Sequence, residues 1–111
     1  MGTLDDDRQL VERILTEHAS TPFSDCEITQ QLVFDRERDH YMILLVGRQG
    51  DRRIHGPLVH IDLIDGKFWI QYDGIEYGIA QDLLDAGIPK DRIVLGYKSP
   101  ELRPHTGFAV A

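Results

Sequence analysis

A two-residue turn, Asp65-Gly66, constrains the fold of this chain more than any other part of its sequence. Asp-Gly is a favoured loop for a tight β-hairpin, and here it pairs Ile64 with Lys67. Extending the pairing places six hydrophobic residues on one side of the sheet: Leu63, Phe68, Ile61, Ile70, Val59 and Tyr72. The opposite side carries two further pairs, which are Asp62 with Trp69 and His60 with Gln71. The hairpin therefore has one apolar face and one face of polar and aromatic residues.

Hydrophobic periodicity predicts helices in two other parts of the chain. Apolar residues recur at three- and four-residue steps over residues 4–18, and Asp5–Asp7 lie in the first turn, where the helix dipole favours acids. Residues 78–86 are predicted to form a shorter helix with Ile79 and Leu83 directed inward. Gly87 supplies the left-handed residue that closes such a helix.

Apolar and alternating segments predict the strands. They are expected at residues 26–34, 40–48, 53–64 and 67–72, with a short strand or extended segment at 93–95. The strand over 40–48 is apolar on both faces, which is typical of a central strand covered on both sides. Gly56-Pro57 interrupts the next strand and indicates a bulge or a sheet edge. The sequence therefore predicts an α+β fold: an antiparallel four- to five-stranded meander sheet with the N-terminal helix and the short second helix packed on it.

Length, charge and cysteine content narrow the class of protein. The 111 residues are expected to form one domain, 1–111. A formal net charge of -7 argues against direct, unassisted DNA binding and suits docking onto the basic surface of a DNA-handling partner. Cys26 is the only cysteine, so we expect no internal disulfide, a cytoplasmic location and a small buried hydrophobe in the first strand. The longest apolar run, Met42–Val46, is too short to span a membrane, and no basic leader opens the sequence, so neither secretion nor membrane binding is expected.

His60 and Asp62 are the strongest candidates for a chemical site. They lie at i and i+2 on one strand face, about 7 Å apart. A metal site needs at least three converging ligands, and the local sequence supplies only these two. We therefore expect His60 and Asp62 to form a polar pair beside Trp69 and Gln71, in preference to the metal site of a hydrolase. No nucleophile elbow or glycine-rich phosphate loop occurs, so we predict no catalytic residues, no cofactor and a non-enzymatic protein.

Trp69 lies on the hairpin face opposite the apolar row, and so large a side chain needs a cover. The cover is expected from a helix of the same chain, from the apolar segment 106–111, or from another subunit. In the last case Trp69 with Ile43 and Leu45, or the segment around Phe108, would form the contact of a symmetric homodimer.

Longer motifs extend over nearly the whole chain. They are Phe34-Asp35, Glu37-Arg38-Asp39-His40-Tyr41, Gly47, Arg52-Arg53, His60-Ile61-Asp62, Asp65-Gly66-Lys67-x-Trp69-Ile70-Gln71, Gly87-Ile88-Pro89-Lys90-x-x-Ile93-Val94-Leu95-Gly96 and Arg103-x-x-Thr106-Gly107-Phe108-Ala109-Val110-Ala111. On these motifs the chain closely resembles the XisI family, small cyanobacterial proteins named as controlling factors for excision of the fdxN DNA element.

The resemblance implies an accessory, regulatory role in excision of a DNA element, together with a nuclease-like partner of the XisH type. It carries over no catalytic residues, because the family has no established active-site motif. A direct DNA-binding factor stays the alternative, and its contact residues would be Arg36, Arg38, Arg52 and Arg53. Packing alone leaves six residues of the motifs unexplained, and they form the candidate partner surface: His60, Asp62, Trp69, Gln71, Arg103 and Thr106.

Overall fold

A computed structural model of the chain describes residues 3–21 and 27–111, and Cys26 lies outside these residues. These described residues form two α-helices and one five-stranded sheet. The elements are α1 (Leu4–Ala19), β1 (Ile28–Asp35), β2 (His40–Gln49), β3 (Arg52–Ile64), β4 (Lys67–Asp73), α2 (Ala80–Asp85) and β5 (Ile93–Leu95), with short 3-10 turns at Lys90–Arg92 and Arg103–His105. The strands lie in the order β1-β2-β3-β4-β5. The first four form an antiparallel meander, and β5 pairs in parallel with β4. The predicted α+β meander with two helices is confirmed, and the parallel fifth strand makes the sheet mixed.

Both helices pack on one side of the sheet, here called the inner face. Val11, Ile14 and Leu15 of α1 join Ile79 and Leu83 in a single hydrophobic core. The strand residues of that core are Tyr41, Ile43, Val59, Ile61, Leu63, Phe68, Ile70, Ile93 and Leu95. The inward direction predicted for Ile79 and Leu83 is confirmed, since both are fully buried.

Local chemistry sets the ends of the helices. Thr3 caps α1: its side chain accepts the backbone N–H of Asp6, whose carboxylate accepts the N–H of Thr3 in return. The second helix is shorter than predicted because Gly78 has a φ of 89°, which a right-handed helix does not allow. Its end is as predicted: Gly87 has a φ of 95°, and the N–H of Ile88 donates to Leu83 O at 3.0 Å in a Schellman close.

The predicted Asp65-Gly66 hairpin is present. Asp65 and Gly66 have φ of 50° and 76°, as the tight turn requires. The four pairs nearest the turn follow the predicted register, from Ile64 with Lys67 to Ile61 with Ile70.

Beyond those four pairs the predicted register of the hairpin is wrong. A β-bulge at Gln71 pairs His60 with Tyr72 and Val59 with Asp73. Tyr72 is therefore displaced from the apolar row and is 48% exposed.

A second bulge lies between β2 and β3. Ile43 pairs with Val59 and Leu44 with Pro57, so Leu58 is the additional residue. This bulge confirms the interruption predicted at Gly56-Pro57, since proline cannot donate to the ladder.

The prediction that β2 is central is confirmed, but its two faces are covered unequally. Tyr41 and Ile43 are fully buried on the inner face. Met42 and Leu44 point to the opposite, outer face and are only half-buried. The expectation of full cover on both sides is wrong because α1 and α2 both pack on the inner face.

Candidate functional site

Four polar side chains meet on the outer face and form what we call the polar cluster: His40, His60, Asp62 and Gln71. Asp62 Oδ1 lies 2.8 Å from His40 Nδ1 and 2.7 Å from His60 Nε2. Gln71 Nε2 donates to the other carboxylate oxygen, Oδ2, at 3.2 Å. Asp62 is 7% exposed, so its orientation is fixed by these partners and by the surrounding sheet.

The Leu58 bulge brings His40 into the cluster. His40 pairs with Asp62 across β2 and β3, and Met42 pairs with His60. Regular pairing from the hairpin at Gly50 would place His40 opposite Ile61, a core residue. Because Leu58 is an additional residue in β3, apolar residues of β2 pair with apolar residues of β3 on the inner face, and polar His40 pairs with polar Asp62 on the outer face.

Gln71, which donates to Asp62, is itself the bulged residue of β4. Bulges commonly re-aim side chains near functional sites. The sequence prediction placed His60, Asp62 and Gln71 on one face, and the structure brings these three together. It missed His40, whose position is evident only after one bulged residue is added to the β2–β3 hairpin.

A charged network lies beside the cluster, on the turn between β1 and β2. Arg8 Nε donates to Asp39 Oδ1 at 2.7 Å, and the Tyr41 hydroxyl donates to the same oxygen at 2.9 Å. The Arg8 hydrogen bond holds the pKa of Asp39 below its usual range. Burial, with the bond to Asp39, raises the pKa of Tyr41. This network fixes the strand end from which His40 projects.

Trp69 stacks against Arg103 next to the polar cluster. The guanidinium carbon lies 5.2 Å from the centre of the tryptophan ring, within cation–π range. Arg103 is held in place because it donates to Lys98 O at 3.0 Å and to Gly96 O at 3.3 Å. Part of the cover that Trp69 was predicted to need therefore comes from the C-terminal part of its own chain.

Thr106, the sixth residue of the predicted surface, serves the backbone of the C-terminal segment. Its hydroxyl donates to Arg103 O at 2.8 Å and accepts the N–H of Phe108 at 3.1 Å. The N–H of Ala109 donates to Ile93 O at 2.9 Å, which docks this segment against β5. Thr106 thus positions the Arg103 turn and makes no side-chain hydrogen bond to the polar cluster.

The four arginines proposed for DNA binding do not form one patch. Arg36 makes a two-pronged bond to Glu12, and Arg38 pairs with Asp35. The Arg36 bonds hold the pKa of Glu12 below its usual range. The pKa of Asp35 is also lowered, chiefly because its carboxylate accepts the backbone N–H of Arg38, with the Arg38 guanidinium adding to the effect. Arg52 and Arg53 begin β3 and pair with the far end of β2, a strand of ten residues, and so they lie about 30 Å away.

One contact suggested for a homodimer is wrong. Ile43 has no exposed surface, because it packs in the core beneath α1, and so it cannot touch a second copy.

No helix within the described residues has the length and apolar character needed to cross a bilayer. The fold and the cluster define a small α+β protein that uses one sheet face for its core and presents polar chemistry on the other.

Comparison of the sequence and the structure with known proteins shows which family the chain belongs to. The sequence profile of the XisI protein family matches residues 1–110. The structure is similar to that of a XisI-like protein from Anabaena variabilis ATCC 29413, with a TM-score of 0.90 and 38% identity over 98% of this chain and 100% of the other. It is also similar to fdxN element excision controlling factor XisI from the same organism, with a TM-score of 0.81 and 31% identity over 97% of this chain and 98% of the other. Among curated proteins, none matches the sequence. The chain belongs to the XisI family.

Proposed function

We propose that this protein is a non-enzymatic accessory factor in excision of a DNA element and acts through a nuclease-like partner of the XisH type. One observation carries the proposal: the chain shares its fold and 31% identity with a protein described as an excision controlling factor. A controlling factor regulates the reaction, and bond cleavage is then the work of the partner.

The charge of the protein supports an indirect route to DNA. A net charge of -7 repels the phosphate backbone and attracts the basic surface of a protein that handles DNA. Electrostatic complementarity of this kind speeds association and selects partners.

The partner is proposed to bind the outer face around Trp69 and Arg103, beside the polar cluster. Tryptophan and arginine are the residue types most enriched among those that dominate binding energy at protein interfaces. Arg103 is only partly buried and is already held by backbone acceptors, so little side-chain entropy is lost on binding.

Co-purification tests this proposal. The tagged protein, co-expressed with the XisH-type protein, should retain it at low salt and release it at high salt. Arg103→Ala should reduce retention at least tenfold. Arg13→Ala, an exposed arginine on α1, is the matched control and should retain the partner fully. Failure of the wild-type protein to co-purify at low salt would overturn the partner, and equal loss in both variants would overturn the surface.

Direct DNA binding is the second candidate, and one feature favours it. Arg48, Arg52 and Arg53 are exposed at the tip of the β2–β3 hairpin and make no ion pair with any residue in 3–21 or 27–111. If this tip binds DNA, the purified protein shifts duplex DNA at low salt, and the double variant Arg52→Glu, Arg53→Glu does not. Absence of a shift with the wild-type protein eliminates the candidate.

A further inference from the structure

The polar cluster has the donor set of a metal site. Two imidazole nitrogens and one carboxylate oxygen, from His40, His60 and Asp62, all lie within 4.8 Å of one another. The donors come from two paired strands, so the sheet itself holds them in place. Two histidines and one carboxylate are also the protein ligands of a common class of zinc site.

The three donors need to separate only slightly to hold a small ion. Zinc bonds of about 2.0–2.2 Å at tetrahedral angles place neighbouring ligand atoms about 3.4 Å apart. Asp62 Oδ1 now lies 2.8 and 2.7 Å from the two histidine nitrogens. Those hydrogen bonds are replaced by bonds to the ion when the donors separate by about 0.6 Å, an adjustment within a side-chain rotamer well.

A second layer of contacts orients the carboxylate for this purpose. Gln71 Nε2 donates to Oδ2 and leaves Oδ1 directed at the two imidazoles. Hydrogen bonds of this kind fix the direction of metal-binding carboxylates. Gln71 is the bulged residue of β4, so its backbone pairs with no residue of β3.

An ion can enter from solvent. The side chain of His40 is 48% exposed and that of His60 is 28% exposed, whereas that of Asp62 is 10% exposed. Three protein ligands leave one coordination position for water. Imidazole nitrogens favour zinc and its neighbours in the first transition series over magnesium or calcium, which prefer oxygen.

We propose that His40, His60 and Asp62 bind a divalent transition-metal ion such as Zn²⁺, with Gln71 as a positioning residue. The ion links β2 to β3 on the outer face and places a positive charge on an acidic protein. This inference goes beyond the proposed function, and its test needs no partner protein.

Calorimetric titration of the purified, metal-free protein with zinc chloride tests the site. The wild-type protein should bind one ion, and the ion should raise the unfolding temperature. His40→Ala and Asp62→Asn should each lower zinc affinity at least tenfold and abolish the thermal shift. His105→Ala, an exposed histidine in the C-terminal 3-10 turn, is the control and should behave as the wild type.

Gln71→Ala separates positioning from folding. We expect it to lower zinc affinity about tenfold while the unfolding temperature of the metal-free protein stays unchanged. Lack of stoichiometric zinc binding by the folded wild-type protein would overturn the site. A His40→Ala variant that binds zinc as tightly as the wild type would also overturn it.

Discussion

His40 and Asp62 lie 22 residues apart in the chain and face each other across β2 and β3, with 2.8 Å between the imidazole Nδ1 and the carboxylate Oδ1. Their pairing depends on Leu58, the one additional residue that the β2–β3 ladder contains. The chemistry of the outer face is thus tied to the register of the sheet. A change that alters the register is expected to affect the site and the core together.

Deletion of Leu58 tests this dependence. Removing the residue restores regular pairing and sets His40 opposite Ile61, which mismatches the two faces. We expect the deletion to abolish cooperative thermal unfolding. Leu58→Ala keeps the bulge and loses only side-chain packing, for a cost of about 1–3 kcal/mol. A deletion variant as stable as Leu58→Ala would contradict the role of the bulge.

Gly47 should not tolerate a side chain. A Cβ at this position would lie 1.9 Å from the backbone oxygen of Glu27, so one strand must move. Gly47→Ala is expected to lower the free energy of unfolding by about 2–3 kcal/mol in chemical denaturation. Gly56→Ala is the matched control in the same hairpin, because no atom of residues 3–21 or 27–111 beyond its chain neighbours lies within 4 Å of the added Cβ, and it should leave the free energy of unfolding unchanged. Equal stability of the two variants would refute the predicted clash.

The sequence predicted the hairpin at Asp65 because turn chemistry and alternation are local signals, and the four nearest pairs follow from it. It did not predict the pairing of Gln71 or the inclusion of His40, because both depend on bulged residues that alternation does not reveal. Trp69 was recognised as needing cover, but the contact with Arg103 forms only when the C-terminal segment docks beside β5. Local pattern thus gave the elements, and long-range pairing assembled the site.

A buried ion pair between distant parts of the chain was also missed. Asp7, predicted only as part of a helix start, is 5% exposed and accepts from Arg92 at 2.6 Å. Arg92 also lies over the ring of Phe68, 5.5 Å from its centre. Asp7→Ala leaves this partly buried arginine without its carboxylate acceptor, and should lower the free energy of unfolding by about 1–3 kcal/mol in chemical denaturation. Glu37→Ala, with a side chain 88% exposed, should leave stability unchanged, and an equal effect of both would argue against the pair.

The bidentate pair of Glu12 and Arg36 predicts a defined acid dependence. Arg36 holds the pKa of Glu12 below its usual value of 4.5, because it donates two hydrogen bonds to the carboxylate. A lowered pKa contributes stability that is complete above the usual value and is lost as the pH falls through the folded value. Arg36→Gln should therefore be less stable than the wild type at pH 6, and the difference should shrink below about pH 4. Arg13→Gln, beside Glu12 on α1, should match the wild type at both values. A stability difference for Arg36→Gln that does not shrink as the pH falls below 4 would contradict this assignment.

Excision of a reporter element measures the central claim most directly. A plasmid carrying the element with both of its ends is exposed to the XisH-type partner, to this protein, or to both. We predict that addition of this protein to the partner changes the excision frequency at least tenfold, and that the purified protein alone, with or without Zn²⁺, leaves the DNA intact. Cleavage by the purified protein alone, or an excision frequency that is the same with and without it, would contradict an accessory role.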